Sequence, residues 1–377
     1  MLVSNRFVRR SWPVGPVDLL LQAVAAPEPQ AREAWRIWNA KRDFDRLSWS
    51  EMRLIAAFSE RIGQVDPQSP LRPRIDGLTK HMWTTTQLAL RQAADAFDQL
   101  ARAGIPFIVF KGGALHAEGF GPSCRRIMGD VDLLVHNESA RTAVDALTSG
   151  GWSSVTGESP EYLRRLAQFR ISGNYRKGRH GEIDLHINPF HFSRFDRKLD
   201  DSLWRDARQA ELALRSVLIP DPTDAIVIGL AHAPLSNSGD WAVDIVTRIT
   251  HQPIDWERLS DAAIRRGLVP SCLSGLRYLR EVLQVPIPDA TLSALTKAPV
   301  AVGAWLKYWS NVRDRKDRNL IEKAANRGAD RLLRRQGYSY FLKDSAAVTV
   351  TRPTIRSRAS WSSTLPRRSR STTALPS

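Results

Sequence analysis

The sequence contains few cysteines and no long apolar run. Cys124 and Cys272 are its only cysteines in 377 residues, and they lie far apart. Because no paired framework or C-x-x-C spacing is present, a disulfide scaffold is excluded and a reduced, cytoplasmic location is favoured. No apolar run reaches the roughly 18 residues that a membrane-spanning helix needs. The stretch PVDLLLQAVAAPEP is shorter and contains Asp18, so we do not expect a signal peptide.

Several familiar catalytic motifs are also missing. The sequence has no G-x-G-x-x-G fingerprint, no P-loop, no G-x-S-x-G and no H-E-x-x-H. Cys124 has neither a base partner nor a ligand spacing that would support a role as a nucleophile or zinc ligand. Any enzymatic activity must therefore depend on a different set of residues.

Acidic residues are in short supply. Lys and Arg total 55 against 39 Asp and Glu, for a formal charge of +16, and residues 345–377 contribute six arginines and no acid. This excess favours an anionic partner, namely a nucleotide, nucleic acid or an acidic surface, without choosing among them. Basic residues do not cluster with aromatic residues as in a base-stacking surface, so nucleic acid is not the favoured partner. We expect no membrane association, and the oligomeric state is open.

The hydrophobic patterning predicts an α+β fold. We expect a small mixed β-sheet flanked by N-terminal helices and a C-terminal helical domain, because apolar spacing is helical on both sides of a β-rich segment. The Ser/Thr/Arg-rich end has too few large apolar residues to offset the entropy of ordering. The predicted segments are a poorly ordered N-terminal segment (1–30), N-terminal helices (31–104), an α/β core (105–195), a helical domain (196–344) and a disordered tail (345–377).

The core segment alternates strands and helices. IPFIVFK, at 105–111, predicts a strand that runs directly into two glycines, and ALHAEGF follows as a helix. DVDLLV predicts a second strand and SARTAVDALTSGGW a second helix. FRISGNYRKGRHGEIDLHI then predicts two strands joined by a glycine-containing turn. The order β-α-β-α-β-β is typical of a small α/β or α+β unit.

Two aspartates in the second strand indicate a cation site. Asp130 and Asp132 are two positions apart and share one face, while Val131, Leu133 and Val135 face a core. Neighbouring carboxylates repel each other, and a divalent cation between them removes that repulsion. The alternative is a solvated face of an edge strand.

A third acid lies in GEIDLHI. Glu182, Asp184 and His186 share one face of the predicted strand. A carboxylate from this strand, placed beside the first pair, could complete a metal site and accept a proton from an attacking hydroxyl. An ordinary amphipathic hairpin is the alternative reading.

The glycine turn after the first strand suits an anion. Gly112 and Gly113 would let the backbone approach a phosphate, and free N–H groups at the start of a helix favour negative charge. An ordinary strand-to-helix turn would have the same sequence, and Lys111 would then be a solvated strand end.

Taken together, these segments resemble a known family. The pattern GIPFIVFKGGAL, RIMGDVDLLV, GW and EIDLHI resembles the polymerase-β-type nucleotidyltransferase superfamily and, more closely, the bacterial family of uncharacterised nucleotidyltransferases. GLAHAP and WAVDIVTRI followed by DWERL resemble the helical half of that family. The resemblance covers about residues 85–290. The GPSC segment lengthens the interval between the glycine turn and the two aspartates.

The resemblance implies a reaction and a metal. It implies Mg²⁺- or Mn²⁺-dependent transfer of a nucleoside monophosphate from an NTP such as ATP to an acceptor hydroxyl, with release of pyrophosphate. By the same resemblance, Asp130 and Asp132 would hold two metal ions that stabilise charge on the entering and leaving oxygens. Asp184 would bind the metal nearest the nucleophile and act as base. Glu182 is its neighbour on the same face.

The resemblance also implies which residues bind the nucleotide. Gly112 and Gly113 would lie under the β- and γ-phosphates. Arg126 could pair with a phosphate through its guanidinium fork, and Lys111 could do so as a point charge. His186 could contact metal or acceptor, although a supporting position is the favoured reading.

Some alternatives stay open at this point. His232 and Asp244 could help to close the site, although an ordinary helical role is favoured for each. The acids alone cannot separate transfer of a nucleotide unit from transfer of the γ-phosphoryl group, which would be a kinase-like activity. A non-catalytic nucleic-acid-binding protein that kept the fold is a further reading. The acceptor, which could be a small molecule, a peptide or a protein, and the preferred nucleobase are not predicted.

Overall fold

The computed structural model describes most of the chain. Its described residues are 9–123, 125–190, 193–194, 196–232, 239–312 and 319–335. The tail expected to be disordered, 345–377, and Cys124 lie outside the described residues.

Helices form the N-terminal part of the protein. They are α1 (Pro16–Ala25), α2 (Glu28–Lys41), α3 (Trp49–Phe58), α4 (Ile62–Val65) and α5 (Arg72–Arg102). The boundary of α3 follows from its sequence, because Ser48 and Glu51 form a reciprocal capping box at its start.

The first of these helices differs from the sequence expectation. Residues 1–30 were expected to be poorly ordered, yet α1 packs on α2 and α3 and fully buries Leu20 and Leu21. Pro16 occupies the first turn of α1, where a missing N–H has no helical partner to lose. Pro16 is therefore compatible with the helix.

The core segment contains strands and short helices. The elements are β1 (Phe107–Phe110), α6 (Gly112–Ala117), α7 (Phe120–Ser123), β2 (Val131–Val135), α8 (Ala140–Ser149), β3 (Ser153–Ser154), α9 (Pro160–Leu166), β4 (Ser172–Lys177) and β5 (Gly181–His186). The expected β-α-β-α-β-β order is present, with α7 added before β2, and with β3 and α9 added between α8 and the final strand pair.

Two further strands, β6 (Arg208–Leu212) and β7 (Arg215–Ile219), follow helix α10 (Arg197–Arg205). They lie within the segment that was expected to be entirely helical. Ala213 and Leu214 form the two-residue turn between them, with φ angles of 51° and 62°. Such turns usually carry Asn-Gly or Asp-Gly, so this hairpin lacks the usual sequence signal.

The described strands form one mixed seven-stranded sheet in the order β3-β4-β5-β2-β1-β7-β6. β2 is the central strand of this order, with β5 on one side and β1 on the other. β2 is antiparallel to β1 and parallel to β5. The fold class is α+β, as expected.

Helices also form the C-terminal part. They are α11 (Pro222–His232), α12 (Asp240–His251), α13 (Trp256–Arg265), α14 (Val269–Glu281), α15 (Asp289–Lys297), α16 (Val302–Asn311) and α17 (Leu320–Arg335). The division of the chain into separate domains stays a prediction.

The two faces of the sheet pack on different helices. Val131, Leu133 and Val135 of β2 are buried in a cluster with residues of α5 and α8. Phe110 and Leu134 belong to a second cluster, which contains residues of α11 to α14. Because side chains alternate along a strand, Asp132 shares the second face and projects towards the C-terminal helices.

Candidate active site

Two acidic residues lie side by side at the centre of the sheet. β2 and β5 are parallel neighbours, and their register pairs Asp132 with Asp184 and Leu134 with His186. One potential ligand atom from each of Asp132, Asp184 and His186 lies within 4.8 Å of the others. These three residues therefore form a compact group that could hold a metal ion, and we call it the acidic group.

His186 is the most deeply buried member of the acidic group. Its Nε2 atom lies 3.0 Å from Oδ1 of Asp132 and 2.9 Å from Oδ2 of Asp184. Burial acts to lower the pKa of His186, but the two carboxylates outweigh it and hold the pKa above its usual value. The sequence favours a supporting position for this residue, and the contact of its ring with both acids is compatible with that prediction.

Asp130 lies immediately before β2, which begins at Val131, and not inside the strand as expected. Among the described residues its carboxylate makes no hydrogen bond or ion pair. Burial, together with the negative charge of Asp132, raises the pKa of Asp130 to about 6. Asp130 is close enough to sense the charges of Asp132 and Asp184 but lies outside the acidic group.

Lys111 neutralises Asp132. Its Nζ atom lies 2.5 Å from Oδ1 of Asp132, and its side chain is 27% exposed. Burial acts to raise the pKa of Asp132, but Lys111 and His186 together hold that pKa well below its usual range. Lys111 also has a φ of 53°, an uncommon conformation for a residue with a side chain. The strand end is therefore a strained turn that directs the ammonium group to the acids.

Gly112 and Gly113, which follow Lys111, leave space for different neighbouring side chains. A Cβ atom on Gly113 would lie 2.6 Å from Cγ1 of Val109, so this glycine allows α6 to pack against the sheet. A Cβ atom on Gly112 would lie 3.3 Å from Nη2 of Arg126, so this glycine leaves room for a guanidinium group. Gly112 lines the pocket described below.

Arg126 connects the glycine turn to the helical half. Its Nε atom lies 2.7 Å from Oδ1 of Asp244, and its Nη1 atom lies 3.7 Å from Oδ2 of Asp240. Both aspartates belong to α12 and are buried. The guanidinium group is thus held at the glycine turn by acids from outside the sheet.

A pocket of about 260 Å³ lies between the sheet and the helices. Lys111, Gly112, Arg126, Asp130 and Asp132 contribute to its wall from the core segment. Arg53 of α3, Ala225, Gly229 and His232 of α11, and Asp240, Trp241, Asp244, Ile245 and Arg248 of α12 also line it, as does Met128. The pocket is therefore a charged cleft to which both helical parts of the chain contribute.

The helical half contributes more than the sequence indicated. His232 and Asp244 both line the pocket, and Nε2 of His232 lies 2.9 Å from the carbonyl oxygen of Pro189. Arg53 and Arg248 were not singled out from the sequence. A signal for part of this set exists, because Asp240, Asp244 and Arg248 are spaced four residues apart and share one face of α12.

Glu182 lies away from this arrangement. It pairs with Arg176 in the register of β4 and β5, and Nη2 of Arg176 lies 3.1 Å from its Oε2. Its negative charge still contributes to the raised pKa of Asp130.

The acidic group has the donors that a hard divalent cation requires. Asp132 and Asp184 offer carboxylate oxygens, which Mg²⁺ prefers, and His186 adds a nitrogen. Oδ1 of Asp184 is buried and accepts no hydrogen bond from the described residues. Buried polar atoms without a partner are rare in proteins, and an ion is one way to satisfy them.

One comparison with known proteins, a scan of family models, finds a match to this chain. The model of a family described as uncharacterised nucleotidyltransferase matches residues 49–284, which include every residue that lines the pocket. No curated protein and no solved structure matches the chain. Among the described residues, no helix is both long and apolar enough to cross a membrane.

Proposed function

The chain belongs to the uncharacterised nucleotidyltransferase family, and on that premise we propose that it transfers a nucleoside monophosphate from an NTP to an acceptor hydroxyl. Pyrophosphate is the leaving group, and Mg²⁺ or Mn²⁺ is the cofactor. The acceptor is a small molecule, a peptide or a protein. A cytoplasmic location stays a prediction.

One observation carries this proposal. Asp132 and Asp184 are adjacent on parallel strands, and the strained turn at Lys111 and the guanidinium of Arg126 border the pocket beside them. Phosphoryl-group transfer depends mainly on positioning and on electrostatic stabilisation, for which this combination of paired acids and cations is suited.

The acids would hold the metal ions. Asp132 and Asp184, with Asp130 at the pocket wall, are the proposed ligands, and His186 supports the two strand acids. When bound, the metal supplies charge stabilisation for the triphosphate and polarises the attacking oxygen.

The cations and the glycine turn would bind phosphate. Lys111 and Arg126 now neutralise Asp132 and Asp244, and we propose that both turn to the triphosphate when the nucleotide enters. Gly112 leaves the space in which the guanidinium lies, and Gly113 keeps α6 close to the sheet.

Asp184 is the proposed base. It would bind the metal nearest the acceptor hydroxyl and accept the proton of that hydroxyl through a carboxylate oxygen. The hydroxyl oxygen then forms a bond to the α-phosphorus, and the bond from that phosphorus to the bridging oxygen breaks. Pyrophosphate leaves with the electron pair of that bond.

Labelled nucleotides test the proposal. We expect addition of the protein and Mg²⁺ to a lysate to increase the label that enters the acceptor fraction from [α-³²P]NTP, but not from [γ-³²P]NTP, relative to the lysate alone. Asp132→Asn should abolish this increase. A protein-dependent increase in the γ-label would instead show the kinase-like reaction, and an α-label increase that survives Asp132→Asn would contradict the assigned site.

A further inference from the structure

Two arginines from outside the sheet line the pocket with hydrogen-bond donors that are not used. Arg248 of α12 is 2% exposed, and its Nε atom makes no hydrogen bond among the described residues. Arg53 of α3 is also largely buried, and its Nε atom is likewise without an acceptor. Buried donors of this kind indicate an acceptor that the protein itself does not provide.

The charge around Arg248 is only partly balanced. Its Nη2 atom lies 3.0 Å from Oε2 of Glu118, but the same carboxylate also pairs with Arg208, whose Nη2 lies 2.7 Å from Oε1. Two guanidinium groups thus share one carboxylate. Glu118 therefore balances only part of the positive charge of Arg248, which favours an anionic ligand beside this residue.

Arg53 is held by an ion pair at one edge of its guanidinium group and by the ring of Trp49, over which it lies. Its Nη1 atom lies 2.5 Å from Oδ2 of Asp240, while Nε is left unused. The carboxylate of Asp240 therefore orients the guanidinium fork and leaves part of it available to a second acceptor.

The size of the pocket limits what can bind there. A volume of about 260 Å³ is smaller than the roughly 300–1,000 Å³ of pockets that enclose drug-sized ligands. It suits the charged end of a nucleotide and leaves the sugar and base outside. Asp130 and Asp132 line the same pocket, so this charged end would lie next to the proposed metal ligands.

We propose that Arg53 and Arg248 bind the β- and γ-phosphates of the nucleotide and retain them as pyrophosphate after transfer. This assignment rests on the proposed function, because it takes the triphosphate as the ligand of the pocket. It adds two binding residues from helices α3 and α12 to those of the core segment. The helical parts of the chain thereby become part of the nucleotide site.

Binding of inorganic tripolyphosphate, measured by calorimetry with Mg²⁺ present, tests the assignment without an acceptor. We expect Arg53→Gln and Arg248→Lys each to weaken binding by about tenfold, since each loses charge-assisted hydrogen bonds. Arg248→Lys keeps the positive charge beside Glu118, and thermal unfolding shows whether each variant is folded.

Arg208→Gln is the matched control. Arg208 shares Glu118 with Arg248 but does not line the pocket, so its loss should change tripolyphosphate binding by less than about twofold. Equal weakening by Arg208→Gln and Arg248→Lys would overturn the assignment, because Arg248 would then act only by positioning Glu118. Unchanged binding in both pocket variants would overturn it as well.

The α-label assay separates this inference from the proposed function. If the α-label is transferred but Arg53→Gln and Arg248→Lys leave the affinity for tripolyphosphate unchanged, the phosphate assignment fails and the proposed function stands. If both arginines are needed for tripolyphosphate binding but no α-label is transferred from any NTP, the function fails and the anion site stands.

Discussion

Replacing Lys111 by methionine should change metal binding and nucleotide binding in opposite directions. Nζ of Lys111 lies 2.5 Å from Oδ1 of Asp132, so a metal ion that binds this oxygen has to displace the ammonium group. Methionine keeps an unbranched side chain but removes the charge. The acids of the variant should therefore be more accessible to a cation, while the triphosphate loses a positively charged partner.

The magnitude follows from the ion pair. A hydrogen bond between charged groups contributes about 1.5–3 kcal/mol. Because Lys111 is 27% exposed, solvent screening favours the lower end of this range. At about 1.4 kcal/mol per factor of ten, Mn²⁺ should bind the nucleotide-free variant about tenfold more tightly. Affinity for NTP should fall by a similar factor.

Electron paramagnetic resonance of free Mn²⁺ measures the first effect, and calorimetry with NTP measures the second. Lys177→Met is a suitable control, because Nζ of Lys177 lies 2.6 Å from Oδ2 of Asp95 and is 29% exposed, yet this pair is outside the pocket. It should alter neither affinity. Weaker or unchanged Mn²⁺ binding in Lys111→Met would refute the argument that Lys111 occupies the place of a cation.

Other expected outcomes concern the acids and the glycine turn. Asp184→Asn should lower the rate of nucleotidyl transfer by about a hundredfold or more. Glu182→Gln should change that rate little, because the side chain of Glu182 pairs with Arg176. Similar losses of rate in the two variants would argue against Asp184 as the base. Gly113→Ala should lower the free energy of unfolding by about 1–3 kcal/mol, because its Cβ would overlap Cγ1 of Val109. Combining it with Val109→Ala should relieve the overlap, which denaturant unfolding of both variants can check.

The faces on which Asp132 and Asp184 lie could be predicted from the sequence, because they depend on the local periodicity of a strand. Alternation along a strand places Asp132 opposite Val131 and Leu133, and the same rule places Asp184 and His186 on one face. The position of Asp130 was the exception, since β2 begins one residue later than its apolar pattern suggested. Strand ends are set by pairing with a neighbour, which a single sequence does not contain.

The residues that α3 and α12 contribute to the pocket could not be predicted from local periodicity. Arg53 and Arg248 are far apart in the sequence, and both line the pocket because α3 and α12 pack against each other. Arginine on an amphipathic helix is usually a solvated residue, so its type alone carried no signal. The hairpin of β6 and β7 was missed for a different reason, because its turn lacks the glycine that normally marks such a turn.

The most direct test of the central claim is a crystal structure of the protein with Mn²⁺ and a non-hydrolysable NTP, read from the anomalous scattering of manganese. We expect manganese bound to carboxylate oxygens of both Asp132 and Asp184, with the triphosphate beside Lys111 and Gly112. Manganese and nucleotide bound elsewhere, with Lys111 still paired to Asp132, would contradict it.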